Sequence, residues 1–301
     1  MPDQLAELLS AGERAAFHGR PAAGVNPLQQ AVEVAHGSGR GAEATAAAWL
    51  LGVCLAASGR YGSALSVLDG LAAHDPEEAD KRLFCSLASA TVGSIHRQLG
   101  RHTDGQHWDT RALELAGSAD EALFDARIGL AADSVGLGDS PRALAEIAVA
   151  ERVAEGRSEW WRQRVRLDWV RAEVALLQGR PEEAARRAAT AVSVAEASQA
   201  PRHVAKGLLF AGIAFVQGGE LDEAASMLRR SSSLAEGLGA LPLVWPARAM
   251  LGALLEMSAP EEAQKSMATA RAAVRTISED LPPVLAAEWT ARPDVVALLE
   301  D

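Results

Sequence analysis

The chain has 301 residues, 49% of them hydrophobic, and a formal net charge of −11. That length and apolar share suffice to bury a large core, and the acidic balance excludes a surface built to neutralise nucleic-acid phosphates. Aromatics make up only 4% and seven of them are Trp, so the core must be mostly Ala, Leu and Val. The N-terminal stretch is acidic at once and has no basic region followed by an apolar one, which argues against a secretion signal. No apolar run approaches the ~18 residues of a membrane span. Cys54 and Cys85 form no CxxC and lie in apolar helical stretches, as buried thiols do. The expected location is cytoplasmic.

In chain order, one phrase recurs: Gly, four residues, a small residue, then apolar positions at helical spacing. It begins as GRPAAG at Gly19 and returns as GRYGSAL at Gly59, GRHTDG at Gly100 and GDSPRAL at Gly138. It continues as GRPEEAA at Gly179, GELDEAA at Gly219 and, with Ser258 replacing Gly, SAPEEA. The small residue is Gly24, Ala64, Gly105, Ala143, Ala184, Ala224 and Ala263, at spacings of 40, 41, 38, 41, 40 and 39. A second small position precedes the turn: Gly12, Gly52, Gly93, Ala131, Ala172, Gly212 and Gly252. Leu28, Leu68, Ile147 and Leu228 follow the first by four residues and share its helical face. Each unit therefore reads as a helix, a Gly turn and a second helix, with small residues where the two backbones cross.

Several ends carry capping signals. Ser140 precedes Pro141, Ser118 and Glu121 have capping-box spacing, and Pro181 and Pro260 are each followed by two Glu. No alternating Val/Ile/Thr run signals a strand. The predicted architecture is an all-α, right-handed α-solenoid of about seven repeats forming one domain over residues 1–301. Residues 281–301, with two prolines at their start and Trp289, read as a C-terminal cap over the last apolar face, and each unit should contact mainly its neighbours.

Residues 48–76 carry Gly52, Gly59, Tyr61, Ala64, Leu68 and Pro76 at tetratricopeptide-repeat (TPR) spacings, and the unit resembles a TPR. Its length of about 40 residues, against the TPR's ~34, is similar to the helical-repeat regions of large bacterial LuxR-type regulators, as is the tail from Leu281. The resemblance implies a superhelix whose first helices line a concave, partner-binding surface.

Catalytic and metal constellations are not indicated. GSGRG at Gly37–Gly41 lacks the strand and the Lys-Ser/Thr of a phosphate loop. His96, His102 and His107 lack ligand spacing, and Ser231-Ser232-Ser233 reads as surface serines without an adjacent base. No cofactor, metal or enzymatic activity is expected. Of Trp160 and Trp161, about 100° apart on a helix, one is expected to be buried.

The candidate binding stripe lies in the fifth unit. Arg162, Arg166, Trp169 and Glu173 are spaced to share one helical face, within a stretch, residues 157–187, holding eight Arg and five acidic residues. Trp49, Arg97, Asp125 and Lys206 on neighbouring units extend the same trough. An Arg fork matches a carboxylate and Trp supplies apolar area, so the expected ligand is a protein or peptide with an acidic or C-terminal segment. The bland alternative is a solvated face with intrahelical pairs. The function predicted is a non-enzymatic binding scaffold; the alternative is a regulatory module for a small effector. No nucleic acid or membrane is expected as partner, and the oligomeric state is left open.

Overall fold

A computed structural model describes residues 3–300, which contain sixteen α-helices, one 3-10 turn and no strand. Fourteen helices form seven antiparallel pairs in sequence. They are α1 (Gln4–His18) with α2 (Val25–Gly37), α3 (Gly41–Ala57) with α4 (Tyr61–Ala72), and α5 (Ala79–Gln98) with α6 (His102–Ala116). There follow α7 (Asp120–Gly136) with α8 (Ser140–Ala154), α9 (Trp161–Leu177) with α10 (Pro181–Ala197), α11 (Pro201–Gly218) with α12 (Leu221–Leu238), and α13 (Leu241–Leu255) with α14 (Pro260–Asp280). Two short helices, α15 (Pro283–Thr290) and α16 (Pro293–Glu300), end the described chain.

The small residues do what the spacing predicts. A Cβ at Gly12 or Gly52 would overlap the side chain of Leu28 or Leu68, and one at Gly212 would stand 2.8 Å from Leu228. At the turns, Gly59, Gly100, Gly138, Gly179 and Gly219 have φ from 68° to 83°, a conformation that only glycine adopts cheaply. The residue after each closes onto the carbonyl five back, as Arg60 N does to Leu55 O at 2.9 Å and Arg180 N to Ala175 O at 2.8 Å, which satisfies helix-end carbonyls. Gly19 departs from this: its φ of −138° is extended, and a 3-10 turn, Pro21–Gly24, makes the first bend.

Other local readings need correction. Ser140 and Ser118 cap nothing. Asp139 caps α8 by accepting from Arg142 N at 3.0 Å, and α7 starts after Ala119 with no side-chain cap. Ser231 and Ser232 are buried, Ser231 Oγ donating to Ala205 O at 2.8 Å. Both Trp160 and Trp161 are half-buried. His18 packs against Trp161, with ring centroids 5.4 Å apart, and Arg157 caps the face of Trp160.

The largest correction concerns the ends. The stack closes on itself instead of touching only its neighbours. His18 at the end of α1 donates from Nδ1 to Ser198 O at 3.1 Å. Asp280 at the end of α14 accepts from Ser63 N at 2.9 Å and Ser63 Oγ at 2.6 Å, at the start of α4. Arg101 meets Glu288 of α15 at 2.6 Å, and Arg292 donates to Gln98 O at 3.2 Å. One hydrophobic cluster joins Trp49, Tyr61 and Ile95 to Val274, Ile277, Trp289 and Leu298.

Candidate functional site

Because the stack closes, the first helices of the pairs face a common interior. A cavity of about 520 Å³ lies there, lined by side chains of α1, α3, α5, α7, α9, α11 and α13 together with Tyr61, His102 and Arg292. All eight sequence-derived positions, Trp49, Arg97, Asp125, Arg162, Arg166, Trp169, Glu173 and Lys206, lie on its wall.

Their arrangement follows the repeat register. Asp125, Arg166 and Lys206 each stand six residues before the second small position of their units, Ala131, Ala172 and Gly212, so consecutive inner helices bring them side by side. The pairs are not intrahelical. Asp125 on α7 receives Arg162 at 3.2 Å and Arg166 at closer range, both from α9. Burial disfavours the Asp125 carboxylate, but the two guanidiniums outweigh it and hold its carboxyl below the usual range. Arg166 is itself pushed down by burial and by Arg162, with Asp125 opposing.

Lys206 lies over the faces of Trp169 and Phe210, its Nζ 4.6 and 5.5 Å from the ring centroids, a favourable cation–π placement. Burial, reinforced by Arg166 and Arg202 against Glu173, brings its ammonium down to about 8. Glu173 is raised, chiefly by burial. Trp169 stacks on His203 at 5.4 Å, whose imidazole burial and Arg202 keep well below its ordinary value. Trp49 donates from Nε1 to Thr91 Oγ1 at 3.2 Å.

Arg97 is committed elsewhere. Its Nη1 donates to Asp109 at 2.5 Å, Asp133 at 2.8 Å and Gly129 O at 3.1 Å. It lines the cavity as the outer end of a buried cluster, and its neighbours Asp109 and Asp133 are fully buried.

Sequence reasoning missed Arg202, Phe17, Phe210, Trp245 and Arg292, which share the lining. The signal for Arg202 was available. It stands ten residues before Gly212 as Arg162 stands ten before Ala172. Trp245 and Arg292 had none, since the seventh unit is out of register and Arg292 lies outside the repeats.

The lining holds six Arg or Lys and two carboxylates, an inverted balance inside a chain of −11. A second, outer groove runs along His18, Pro201, Val204 and Leu234, but its arginines are paired, Arg229 with Glu262 at 2.6 Å and Arg230 with Glu196 at 3.7 Å. Among the described residues no group of His, Cys, Asp and Glu could hold a metal ion, and no helix is long and apolar enough to cross a membrane.

No protein-family profile matches the chain, and no curated protein matches it in sequence. Solved structures do match in fold. A Rap protein complexed with competence and sporulation factor superposes with a TM-score of 0.66 over 98% of this chain and 79% of its own, at 11% identity. The apo form of RapI gives 0.52 over 79% of this chain and 91% of its own, at 13% identity. Aspartyl phosphate phosphatase F from Bacillus subtilis gives 0.53 over 100% and 83%, at 11% identity. At such identities the likeness shows the fold: a TPR-like all-α solenoid similar to that of the Rap proteins.

Proposed function

We propose that the chain is a binding scaffold whose central cavity takes an acidic or C-terminal segment of a partner protein or peptide. The observation that carries this reading is the inverted charge of the cavity: arginines and a lysine interleaved with Trp49, Trp169 and Phe210, inside an acidic protein. Guanidinium forks and aromatic faces provide directional contacts to carboxylates and apolar area beside them. The crystallised complex of a fold relative with a named factor supports a ligand held by this architecture.

Catalysis is not part of the proposal, although one fold relative is named an aspartyl phosphate phosphatase. Incubation with acetyl phosphate checks it: no turnover is expected, and turnover above a heat-inactivated control would contradict a purely binding role. A second reading, a regulatory module for a small effector akin to the repeat region of LuxR-type regulators, is favoured by the size of the cavity, which falls within the ~300–1,000 Å³ of small-ligand sites.

The test is a panel of short labelled peptides, acidic, basic and neutral, followed by fluorescence anisotropy. Acidic members should bind, and Arg166→Ala should weaken them by about 1–3 kcal/mol, measured below its own melting temperature, which falls because Asp125 loses its closest partner. Equal binding of basic peptides, or no effect of Arg166→Ala, would sink the reading. Binding of small anions with no peptide binding at all would favour the effector module.

A further inference from the structure

Four cations converge where α9 and α11 face the cavity: Arg162 and Arg166 on one, Arg202 and Lys206 on the other. Asp125 and Glu173 are the carboxylates on the same wall. Asp125 is shared by both α9 arginines. Arg202 has no carboxylate within ion-pair distance among the described residues, and its Nε, shielded from solvent, has no hydrogen-bond partner. The indole Nε1 of Trp169 is likewise shielded and without an acceptor. The other cavity arginines are occupied, Arg97 by Asp109 and Asp133 and Arg292 by Asp294. Four cations against two carboxylates leave two positive charges without a counter-charge on one wall of the cavity, and their mutual repulsion raises the free energy of the cluster.

We infer that Arg162, Arg166, Arg202 and Lys206 form an anchoring site for a compact dianion, either a phosphate monoester or two neighbouring carboxylates, on the ligand of the central cavity. The inference rests on the proposed binding role of the cavity and narrows it to the chemistry of one end of the ligand. Two negative charges complete the neutrality of the cluster. The guanidinium forks of Arg162, Arg166 and Arg202 supply directed donors to oxygen atoms.

Binding carries a proton signature. Lys206 is faced by Arg166, Trp169 and Glu173 from α9, by Arg202 and Phe210 from its own helix and by Arg97 from α5. With its ammonium brought down to about 8, Lys206 is about half charged at that pH. A bound dianion favours the charged form and draws a proton in. Glu173, also raised, moves in the same direction, so Lys206→Met isolates the share of the lysine.

The test is isothermal titration of the full chain at pH ~8 with inorganic phosphate and, separately, succinate, each in two buffers of different ionisation enthalpy. One-to-one binding with net proton uptake is expected, weakened at least about tenfold in Arg202→Ala and with the uptake reduced in Lys206→Met. Arg202→Ala should melt no lower than the parent protein, because it relieves repulsion. Phosphate alone binding supports a phosphate ester, succinate alone a carboxylate pair, and both the shared chemistry. Neither binding, or Arg202→Ala binding unchanged, overturns the anchor. Acidic peptides binding equally to Arg202→Ala would also overturn it and leave the peptide reading standing. Dianions that bind while no acidic peptide does would support the anchor and remove that reading.

Discussion

Asp109 stands where other repeats place Leu28, Leu68, Ile147 and Leu228, four residues after the small residue. A Cβ at Gly129 would overlap its carboxylate, and one at Gly105 would overlap that of Asp133, so glycines make room for a buried acid pair around Arg97. Burial, with Asp133 adding to it and Arg97 opposing, raises the Asp109 carboxyl. A raised folded value contributes stability that is full below the ordinary carboxyl range and is lost as pH climbs through the folded value. Asp109→Asn cannot ionise, so its melting temperature should fall less than that of the parent between pH ~5 and ~9. Identical profiles would show that Asp109 does not hold the proton. Lys206, lowered to about 8, acts in the opposite sense, adding stability as pH rises from there toward its ordinary 10.5, and it is common to both proteins. The Asp109 substitution was visible in the register, but its pairing with Asp133 and Arg97 was not, because three helices from two units meet there.

At the scale of the helix pair, sequence reading was most reliable. Small residues at fixed spacing have one physical use, the crossing of two backbones, and Ala184 is fully buried at such a crossing between α9 and α10. Ala184→Glu should cost at least ~2–3 kcal/mol through overpacking and a buried charge, and thermal or urea melting reads it directly. Gly52→Ala, one methyl against Leu68, should cost about 1–3 kcal/mol; an unchanged midpoint in either variant would contradict the crossing. Caps were read less well. A Ser beside a Pro is only one of several ways to satisfy the first N–H groups, and Asp139 stood one residue nearer the bend. The serines at Ser231 and Ser232 were misplaced because a hydroxyl small enough for the crossing can bond a carbonyl there and be buried at little cost.

Across the whole molecule, the stripe of inner positions was legible and the closure was not. Periodicity fixes which face of each helix turns inward, which is why all eight candidate positions share one wall. How far the stack curves depends on small rotations accumulated over seven pairs, and no local pattern records their sum. Closure makes the two ends mutually protective. Asp280→Ala removes the acceptor held by Ser63 and should speed amide exchange at the start of α4 and the end of α14 without altering α8 or α9. Uniform exchange across the chain would show the seam to be inconsequential. The proposed binding surface is the interior of the closed stack. Hydrogen exchange of the protein with a saturating acidic peptide tests that most directly. Protection is expected on the inner helices α5, α7, α9 and α11, centred on Arg166 and Lys206; protection confined to α6, α8, α10 and α12, or to the outer groove beside His18, would contradict it.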